Sequence, residues 1–375
     1  MSRVPRLLVV SPIASHPADQ GNAARIAALG AALMARGIRC EFLHFATEGA
    51  APSAEAAMAR FWHALHTEPG SAIGEPSLPG VWGIDDWCPE SLVERLAALQ
   101  RTRRYDAVLV NYVWLSRALE GAGDAFRILD THDLFGGRDA VARDQGLDPS
   151  WFFTTIAKEG RGLARADLVL GIQAEEAAAL ARRGAREVML LSHMPPLRFL
   201  DRPAGPPAGT AFGYFGSANP WNLAAVRALD AALAAAPDLP WLLAGRILRR
   251  ADLRLASRPR LMPELRDVAG FYAAVDCVLN PLAGGTGLKV KTVEALAFGN
   301  PVLGTVDAFA GLPAEHPGHA CADLPALLTL MRECRRSGAF RRELRQASRL
   351  LALRHAADVS AAQDVLAARL RALAA

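Results

Sequence analysis

The chain has 375 residues, 51% of them hydrophobic, and its 42 Lys and Arg against 38 Asp and Glu give a net charge of +4 and a pI near 9.0. This length predicts two domains of about 150–200 residues each. The charge is mild and contains no run of five basic residues, which argues against a nucleic-acid partner and leaves only weak peripheral attraction to anionic membranes.

The cysteines and the apolar runs argue against disulfide-rich, zinc-binding, membrane-spanning and secreted proteins. The five cysteines are scattered and form no C-x-x-C pair, so neither a disulfide framework nor a zinc site is expected. No apolar run approaches the ~18 residues of a membrane span, and the apolar part of the N-terminus is too short for a signal peptide. We therefore expect a soluble cytoplasmic protein, and association with the inner face of the membrane remains an alternative.

The first half of the chain alternates between strands and helices. Residues 6–10 read as a buried strand, 21–37 as a helix and 40–45 as a second strand; such a βαβ unit predicts a parallel sheet. Residues 47–90 are less regular and contain five prolines and three tryptophans. The alternation then resumes with helices at 91–101, 152–164 and 175–183 and strands at 107–110, 127–129, 168–172 and 188–191.

A proline-rich stretch at 195–208 has the composition of a linker. The series that follows has strands at 211–215, 241–244, 261, 275–279 and 302–305, and helices at 221–235, 265–274 and over much of 322–375. Two βαβ domains joined by a linker predict a cleft between the carboxyl ends of two parallel sheets, which is where ligands bind in this class of fold.

The segment 284–303 is the most informative part of the chain. Gly284, Gly285 and Gly287 form a loop directly after a predicted strand, and a helical pattern of apolar residues follows until Gly299. The first turn of such a helix presents N–H groups without partners and a partial positive charge of about half a unit. The segment therefore predicts an anion site.

Two of the chain's three lysines, Lys289 and Lys291, lie at this helix start; the third is Lys158. A cation is unfavourable at a helix N-terminus unless an anion meets it, so we prefer a phosphate contact to a solvated helix start. The sequence does not decide which lysine meets the phosphate. Lys291 is favoured because it shares a helix face with Glu294, and Lys289 would then act through its backbone amide.

The second half resembles the donor domain of GT-B glycosyltransferases, most closely the retaining glycosyltransferase family 4. The residues that carry the resemblance are Pro281, Gly285–Lys291, Glu294-Ala295 and Gly299–Val302, which match the family pattern P…GxGxKxKxxEA…GxPV. In the first half, Gly21 with its helix, Thr131-His132-Asp133 and the strand leading to Gln173 are weaker matches.

The resemblance implies an α/β fold of the GT-B type, with two Rossmann-like βαβ domains facing each other across a deep cleft. Residues 1–200 would form the acceptor-side domain and residues 201–355 the nucleotide-sugar domain. Residues 356–375 would form a helix that packs back toward the first domain.

The resemblance also implies site residues. Glu294, which matches the second of two family glutamates, would bind the nucleotide ribose. The first, eight positions earlier, is Thr286 here, so the sugar contact would pass to the backbone of Gly285–Leu288. His132 contacts the donor sugar or phosphate. The donor-binding candidates are Gly21, Gly216, Ser217, Asn219, Gly285, Thr286, Gly287, Leu288, Lys289 and Glu294. An ordinary helix N-cap is an equally good interpretation of Ser217 or Asn219.

Sugar transfer from a nucleotide builds negative charge on the leaving diphosphate, which cations and amides can stabilise. The catalytic candidates are His132, Asp133, Arg246 and Lys291. Asp133 would orient His132 or meet the acceptor hydroxyl. For Arg246, a phosphate contact and a surface arginine without a catalytic role are equally good interpretations. No DxD triplet occurs, so no metal site and no cofactor are expected.

The expected partners are therefore a nucleotide sugar and a hydroxyl acceptor, which would be a glycan, a lipid-linked sugar or a protein. The Trp-bearing stretch 47–90 is the expected acceptor surface. The alternatives are a sugar-nucleotide epimerase of GT-B-like fold and a non-catalytic homologue that binds a nucleotide sugar. A dehydrogenase is disfavoured because no G-x-G-x-x-G follows the first strand, and a hydrolase because no G-x-S-x-G is present.

Overall fold

The computed structural model describes residues 3–200, 212–262 and 268–375. It divides into two compact units. The first comprises Met1–Asp144, Pro149–His193 and Asp358–Ala375, and the second comprises Gln145–Asp148 and Met194–Ala357. Of the predicted linker, residues 201–208 lie outside the described residues.

The first unit is built on a parallel sheet of seven strands in the order β3-β2-β1-β4-β5-β6-β7. Its elements in chain order are β1 (Arg6–Ser11), α1 (Gly21–Ala35), β2 (Arg39–Ala46), α2 (Pro52–Phe61), β3 (Leu65–Pro69), α3 (Glu90–Arg103), β4 (Ala107–Asn111), a 3₁₀ helix (Val113–Ala122), β5 (Phe126–Asp130), α4 (Arg138–Asp144), α5 (Ile156–Leu163), β6 (Leu168–Gly171), α6 (Ala174–Arg182) and β7 (Val188–Leu190).

Apolar residues on both sides of these strands bury the sheet on both faces. In β1, Leu8 and Val10 belong to one apolar core while Leu7 and Val9 belong to the other, and none of the four is more than 4% exposed. Continuous apolar runs of this kind are typical of parallel strands covered by helices on both faces. The α/β class predicted from the sequence is confirmed.

The stretch 47–90 is more regular than its sequence suggests. It contains α2, which has a proline in its first turn, and β3, which pairs with β2 at the edge of the sheet. The sequence of β3, LHTEP, lacks the apolar run of a central strand, so its pattern does not predict a strand. The helix predicted at 152–164 begins only at Ile156, where the Thr155 side chain caps it.

The second unit is built on a parallel sheet of five strands in the order β10-β9-β8-β11-β12. Its elements are β8 (Phe212–Phe215), α7 (Pro220–Ala234), β9 (Trp241–Ala244), a 3₁₀ helix (Arg246–Arg249), β10 (Arg260–Met262), α8 (Ala269–Ala274), β11 (Cys277–Asn280), α9 (Val290–Ala297), β12 (Val302–Gly304), two short 3₁₀ turns (Asp307–Phe309 and Pro317–His319), α10 (Leu324–Arg336) and α11 (Gly338–Leu373). The last residues of α11 belong to the first unit.

The helix predicted at 265–274 is seen from Ala269 onward, and residues 263–267 lie outside the described part of the chain. The sequence Gly299-Asn300-Pro301, which follows α9, has a structural role. Gly299 has a φ of +72°, and Asn300, 1% exposed, donates from Nδ2 to the carbonyls of Tyr272 and Val275 at 3.0 and 3.2 Å. A left-handed glycine that ends a helix is the common C-terminal arrangement.

Candidate active site

The order of strands in the second sheet reverses between β8 and β11. Ligands of open parallel sheets bind outside the carboxyl ends of the strands at such a reversal. Two predicted segments lie there: the loop of Gly216–Asn219 follows β8, and the glycine loop of Gly284–Lys289 follows β11 and leads into α9. The topology therefore brings the two predicted donor loops to one edge of the sheet.

Left-handed backbone explains the glycines of the second loop. Gly284, Gly285 and Gly287 have φ values of +70°, +82° and +76°, which side chains other than hydrogen rarely allow. A Cβ on Gly284 would also lie 3.2 Å from the ring of Trp221, in the first turn of α7. The glycine loop is thus compact and packs against the indole of Trp221.

The Lys289 side chain folds back on this loop. Its Nζ donates to the carbonyl oxygens of Gly285, Thr286 and Gly287 at 3.1, 3.1 and 2.9 Å. The residue is only 9% exposed. Lys289 therefore holds the backbone of the glycine loop in place, which agrees with a contribution through the main chain.

The N-terminus of α9 has no side-chain cap and no acidic residue in its first turn. By contrast, Asn219 caps α7 and Asp323 caps α10 through hydrogen bonds to backbone N–H groups. An uncapped helix start keeps donors and partial positive charge directed outward. Asn219 is thus an N-cap, as its alternative interpretation had it. The start of α1 also lacks a cap and an acidic residue, and what distinguishes the start of α9 as the anion-binding candidate is the left-handed glycine loop that leads into it.

Lys291 is held by two residues from β8 and α7. Its Nζ donates to the Tyr214 hydroxyl at 3.0 Å and to Oδ1 of Asn222, which also accepts from the Tyr214 hydroxyl at 3.1 Å. The Asn222 amide in turn donates to Oγ of Ser217 at 2.8 Å. Burial lowers the pKa of Lys291 to about 7, although Glu294 acts in the opposite direction. This network ties the first loop to the start of α9.

Glu294 lies one turn further along α9. Its Oε2 accepts from the Tyr272 hydroxyl at 2.8 Å. Burial raises the pKa of Glu294, while the Tyr272 hydrogen bond and the nearby Lys291 charge lower it. The hydroxyl fixes the carboxylate and leaves Oε1 and the remaining lone pair of Oε2 able to accept from a ligand.

Arg246 follows β9, and its segment packs beside Gly216 of the first loop. Gly245 precedes Arg246 with a φ of +98°, and a Cβ on Gly245 would come within 2.5 Å of the Gly216 carbonyl oxygen. The two backbones are therefore packed too closely for a larger residue. Arg246, partly exposed, begins its 3₁₀ helix next to the first loop.

In the first unit, strand order reverses between β1 and β4, and the predicted His132 lies at this end of the sheet. Its Nε2 is 2.8 Å from Oδ1 of Asn111, the residue that closes β4. Because the Asn111 amide donates from Nδ2 to the Val10 carbonyl, Oδ1 is the acceptor and Nε2 carries the proton. Burial lowers the pKa of His132 to about 4, although Asp130 raises it. His132 is therefore neutral at pH 7, with its lone pair on Nδ1.

The expectation that Asp133 orients His132 is wrong. Asp133 accepts from the backbone N–H of Leu134 at 2.8 Å and pairs with Arg138 at 3.3 Å. Asn111 orients the imidazole instead, with Asp130 Oδ2 at 3.8 Å. The Asp133 side chain is thus bound to Leu134 and Arg138, while His132 next to it has a left-handed backbone with a φ of +61°.

A buried ion pair supports the same edge of the first sheet. Arg25, 3% exposed, donates from Nε and Nη2 to Asp130 at 2.8–3.2 Å and to the carbonyl of Leu191 at 2.9 Å. Arg25 stands on α1, whose first residue is Gly21. The predicted Gly21 therefore opens a helix that an internal salt bridge fixes to the end of β5.

Sequence reasoning missed the side chains that position the predicted ones. These are Arg25, Asn111, Asp130, Tyr214, Asn222 and Tyr272. The one sequence signal for them is placement: Asn111 and Asp130 are polar residues that close apolar strands, and Tyr214 lies in a strand that runs into a glycine loop.

Metal ligands and membrane spans were also sought. Within residues 3–200, 212–262 and 268–375, no three His, Cys, Asp or Glu side chains come together in a way that could hold a metal ion. Over the same ranges, none of the helices combines the length and the apolar character that crossing a bilayer requires.

Comparison with known proteins gives the class. Residues 210–329 match the family model described as Glycosyl transferases group 1, and no curated protein matches the chain. This match spans 120 of the 375 residues. The fold is of the GT-B type, as the sequence resemblance implied, and the match indicates a glycosyltransferase domain at residues 210–329.

Solved structures show the same fold over nearly the whole chain. Sucrose-phosphate synthase from Thermosynechococcus elongatus superposes with a TM-score of 0.72 at 18% identity, covering 99% of this chain and 100% of that one. HepE from Anabaena, in complex with UDP and glucose, gives 0.67 at 15% identity over 98% and 100%. A glycosyltransferase from Rickettsia africae gives 0.64 at 11% identity over 98% of both chains.

Proposed function

We propose that the protein is a retaining, metal-independent glycosyltransferase that moves a sugar from a nucleoside diphosphate to a hydroxyl acceptor. The observation that carries this proposal is the uncapped start of α9, opened by a left-handed glycine loop at the reversal of the second sheet and accompanied by Lys291. Retention of configuration follows the resemblance to family 4.

The leaving diphosphate would lie at the start of α9. Transition-state charge on its oxygens would be stabilised by first-turn N–H groups and by the Lys291 ammonium, with Arg246 as a further cation. These groups are in place before the reaction, so no reorganisation is needed as the charge develops. The chain itself therefore supplies the positive charge, and we assign no metal or cofactor to this role.

Glu294 would bind the ribose. Its Tyr272-bound carboxylate is the acceptor that a pair of ribose hydroxyls needs. Complexes of HepE with UDP and with UDP-glucose make UDP the first nucleotide to test. The backbone of Gly285–Leu288 takes the sugar contact, because Thr286 carries no carboxylate.

In the first unit, neutral His132 would accept a hydrogen bond from a sugar hydroxyl at Nδ1. A neutral imidazole offers a lone pair but no charge, so His132 suits a hydroxyl better than a phosphate. Asp133, with its side chain 15% exposed, would meet the acceptor hydroxyl. A cytoplasmic location suits the five free, buried cysteines.

Isothermal titration with UDP tests the donor site. Lys291→Met and Glu294→Gln should each weaken UDP roughly 10–100-fold, because each removes a charge-assisted hydrogen bond. Lys158→Met, which removes the lysine of the first unit, is the matched control and should leave the affinity unchanged. Full affinity in both site variants would refute the assignment.

Turnover separates the remaining alternatives. A transferase releases nucleoside diphosphate only when an acceptor is added, whereas an epimerase interconverts nucleotide sugars without releasing it. A non-catalytic homologue would bind nucleotide and show neither reaction. Product configuration by NMR and turnover in the presence of a chelator test retention and metal independence.

A further inference from the structure

Backbone strain is concentrated in one aromatic cluster of the first unit. Among the residues that the structure describes, five other than glycine have a positive φ, and three of them are Tyr112 (+74°), His132 (+61°) and Trp151 (+65°). The Tyr112 ring stacks on His132 at 4.3 Å and 17° and meets Trp151 edge-on at 5.4 Å. Strained conformations of this kind cost about 1–3 kcal/mol each and cluster at functional sites.

Trp151 differs from the other rings of the cluster because it is exposed. It is 38% exposed, whereas Tyr112, Trp114 and Phe135 are at most 2% exposed. Its ring lies 5.8 Å from Trp114 and 5.9 Å from Phe135. Edge contacts from buried rings fix the indole and leave part of it open to solvent.

Polar groups flank this platform. The Arg138 guanidinium lies 5.4 Å above the Phe135 ring and pairs with Asp133 at 3.3 Å. Both side chains are partly exposed, at 22% and 15%. Trp151 and Arg138 both contact the Phe135 ring, so the cluster brings together one partly exposed aromatic ring, one guanidinium and the carboxylate paired with it.

We propose that Trp151, Asp133 and Arg138 form the acceptor site, and that the acceptor is a carbohydrate whose pyranose ring lies against the indole of Trp151. This inference rests on the proposed transferase function. The C–H groups of a pyranose face carry slight positive charge and match the negative face of an indole. Its hydroxyls match the carboxylate and the guanidinium, a combination that an alkyl chain would leave unused.

The position of this site agrees with transfer. Trp151 and His132 both contact the ring of Tyr112, so a sugar on the indole would lie on the same aromatic cluster as the imidazole that is proposed to contact the donor sugar. Of the stretch 47–90, which the sequence suggested as the acceptor surface, Trp82 and Trp87 do join this cluster. They support the platform, whereas the exposed ring comes from elsewhere in the chain.

NMR of the ¹⁵N-labelled full chain tests the proposal. Each of the seven tryptophans gives an indole N–H signal, and the signal that disappears in Trp151→Phe belongs to Trp151. With UDP saturating, methyl glycosides of glucose, galactose and mannose are added in turn, and 1-hexanol serves as an apolar alcohol. We expect a saturable shift of the Trp151 signal with at least one glycoside and none with hexanol.

Variants then assign the contacts. Trp151→Ala and Asp133→Asn should each weaken that glycoside on the order of tenfold, with UDP affinity unchanged. Ile156→Ala, an exposed apolar residue (52%) in the same segment, is the matched control and should have no effect. A Trp151 signal that responds to no glycoside, or to hexanol alone, overturns the carbohydrate site. If the unaltered protein bound no nucleoside diphosphate, the proposed function itself would be refuted.

Discussion

At the scale of single residues, Lys291 and His132 show how burial selects the protonation state of a side chain. Both are basic groups whose charged form is disfavoured by desolvation, so their pKa values fall to about 7 and about 4. His132 remains a neutral hydrogen-bonding group throughout the physiological range. The pKa of Lys291 lies near neutral pH, so the charge of a bound ligand determines whether the amine is protonated.

The lowered pKa of Lys291 predicts that the protein takes up a proton when it binds a nucleotide. Above pH 7 Lys291 is mainly neutral in the free protein, and an adjacent phosphate favours the ammonium and raises the pKa. UDP affinity should therefore fall as pH rises above 7, and binding at pH 8 should take up as much as about one proton. Calorimetry in buffers of different ionisation enthalpy measures this uptake.

Lys291→Arg provides the control for the proton uptake. A guanidinium stays charged at every pH of the experiment, so this variant should bind UDP without the lysine-linked uptake. The same uptake in the variant and in the unaltered protein would show that another group titrates.

At the scale of elements, the glycine loop and α9 followed from the sequence because their signals are local. An apolar run, three glycines and a helical period lie within about 25 residues, and each reports a backbone preference that packing does not have to supply. The groups that position Lys291 could not be predicted in this way. Tyr214 and Asn222 are 77 and 69 positions away, and only the pairing of β8 beside β11 brings them near.

The same distinction explains the errors. Asp133 is adjacent to His132 in sequence, which suggested that it orients the imidazole, but the two side chains have different partners, Asn111 for His132 and Leu134 for Asp133. The edge strand β3 lacks an apolar run because none of its five residues is fully buried. Sequence patterns report burial and turns, whereas side-chain networks depend on tertiary neighbours.

The loop also allows a prediction about backbone strain. Gly285→Ala places a side chain at a φ of +82° without a close clash, since the nearest ring atom would be 3.7 Å away. The substitution should cost about 1 kcal/mol of unfolding free energy and should weaken UDP binding about 5–10-fold, because it shifts the backbone that is proposed to hold the diphosphate.

Gly49→Ala separates the two effects. Gly49 has a φ of +69°, and no atom lies within 4 Å of a Cβ built on it. Its substitution should therefore cost a similar unfolding free energy while UDP affinity stays the same. An equal loss of affinity in both variants would mean that general destabilisation, and not loop geometry, accounts for the result.

At the scale of the whole molecule, the two units share the same sheet architecture. Each is a parallel sheet whose strand order reverses near its centre, and each places its predicted polar residues at the carboxyl ends of the strands beside that reversal. The second unit offers positive charge and main-chain N–H groups, whereas the first offers a neutral imidazole and aromatic rings. This division suits a reaction in which one substrate carries a diphosphate and the other carries hydroxyls.

The chain returns to the first unit at its end, and this return should be needed for stability. Leu366 on α11 is 0% exposed and belongs to the core that contains Leu7 and Ile26, while neighbouring Val365 is 61% exposed. Leu366→Ala should lower the unfolding free energy by about 2–5 kcal/mol, because it removes buried methyl groups and leaves a cavity. Val365→Ala should change it by less than about 0.5 kcal/mol. Thermal and urea unfolding of the full chain measure both, and a similar effect of the two substitutions would show that the end of α11 does not pack into that core.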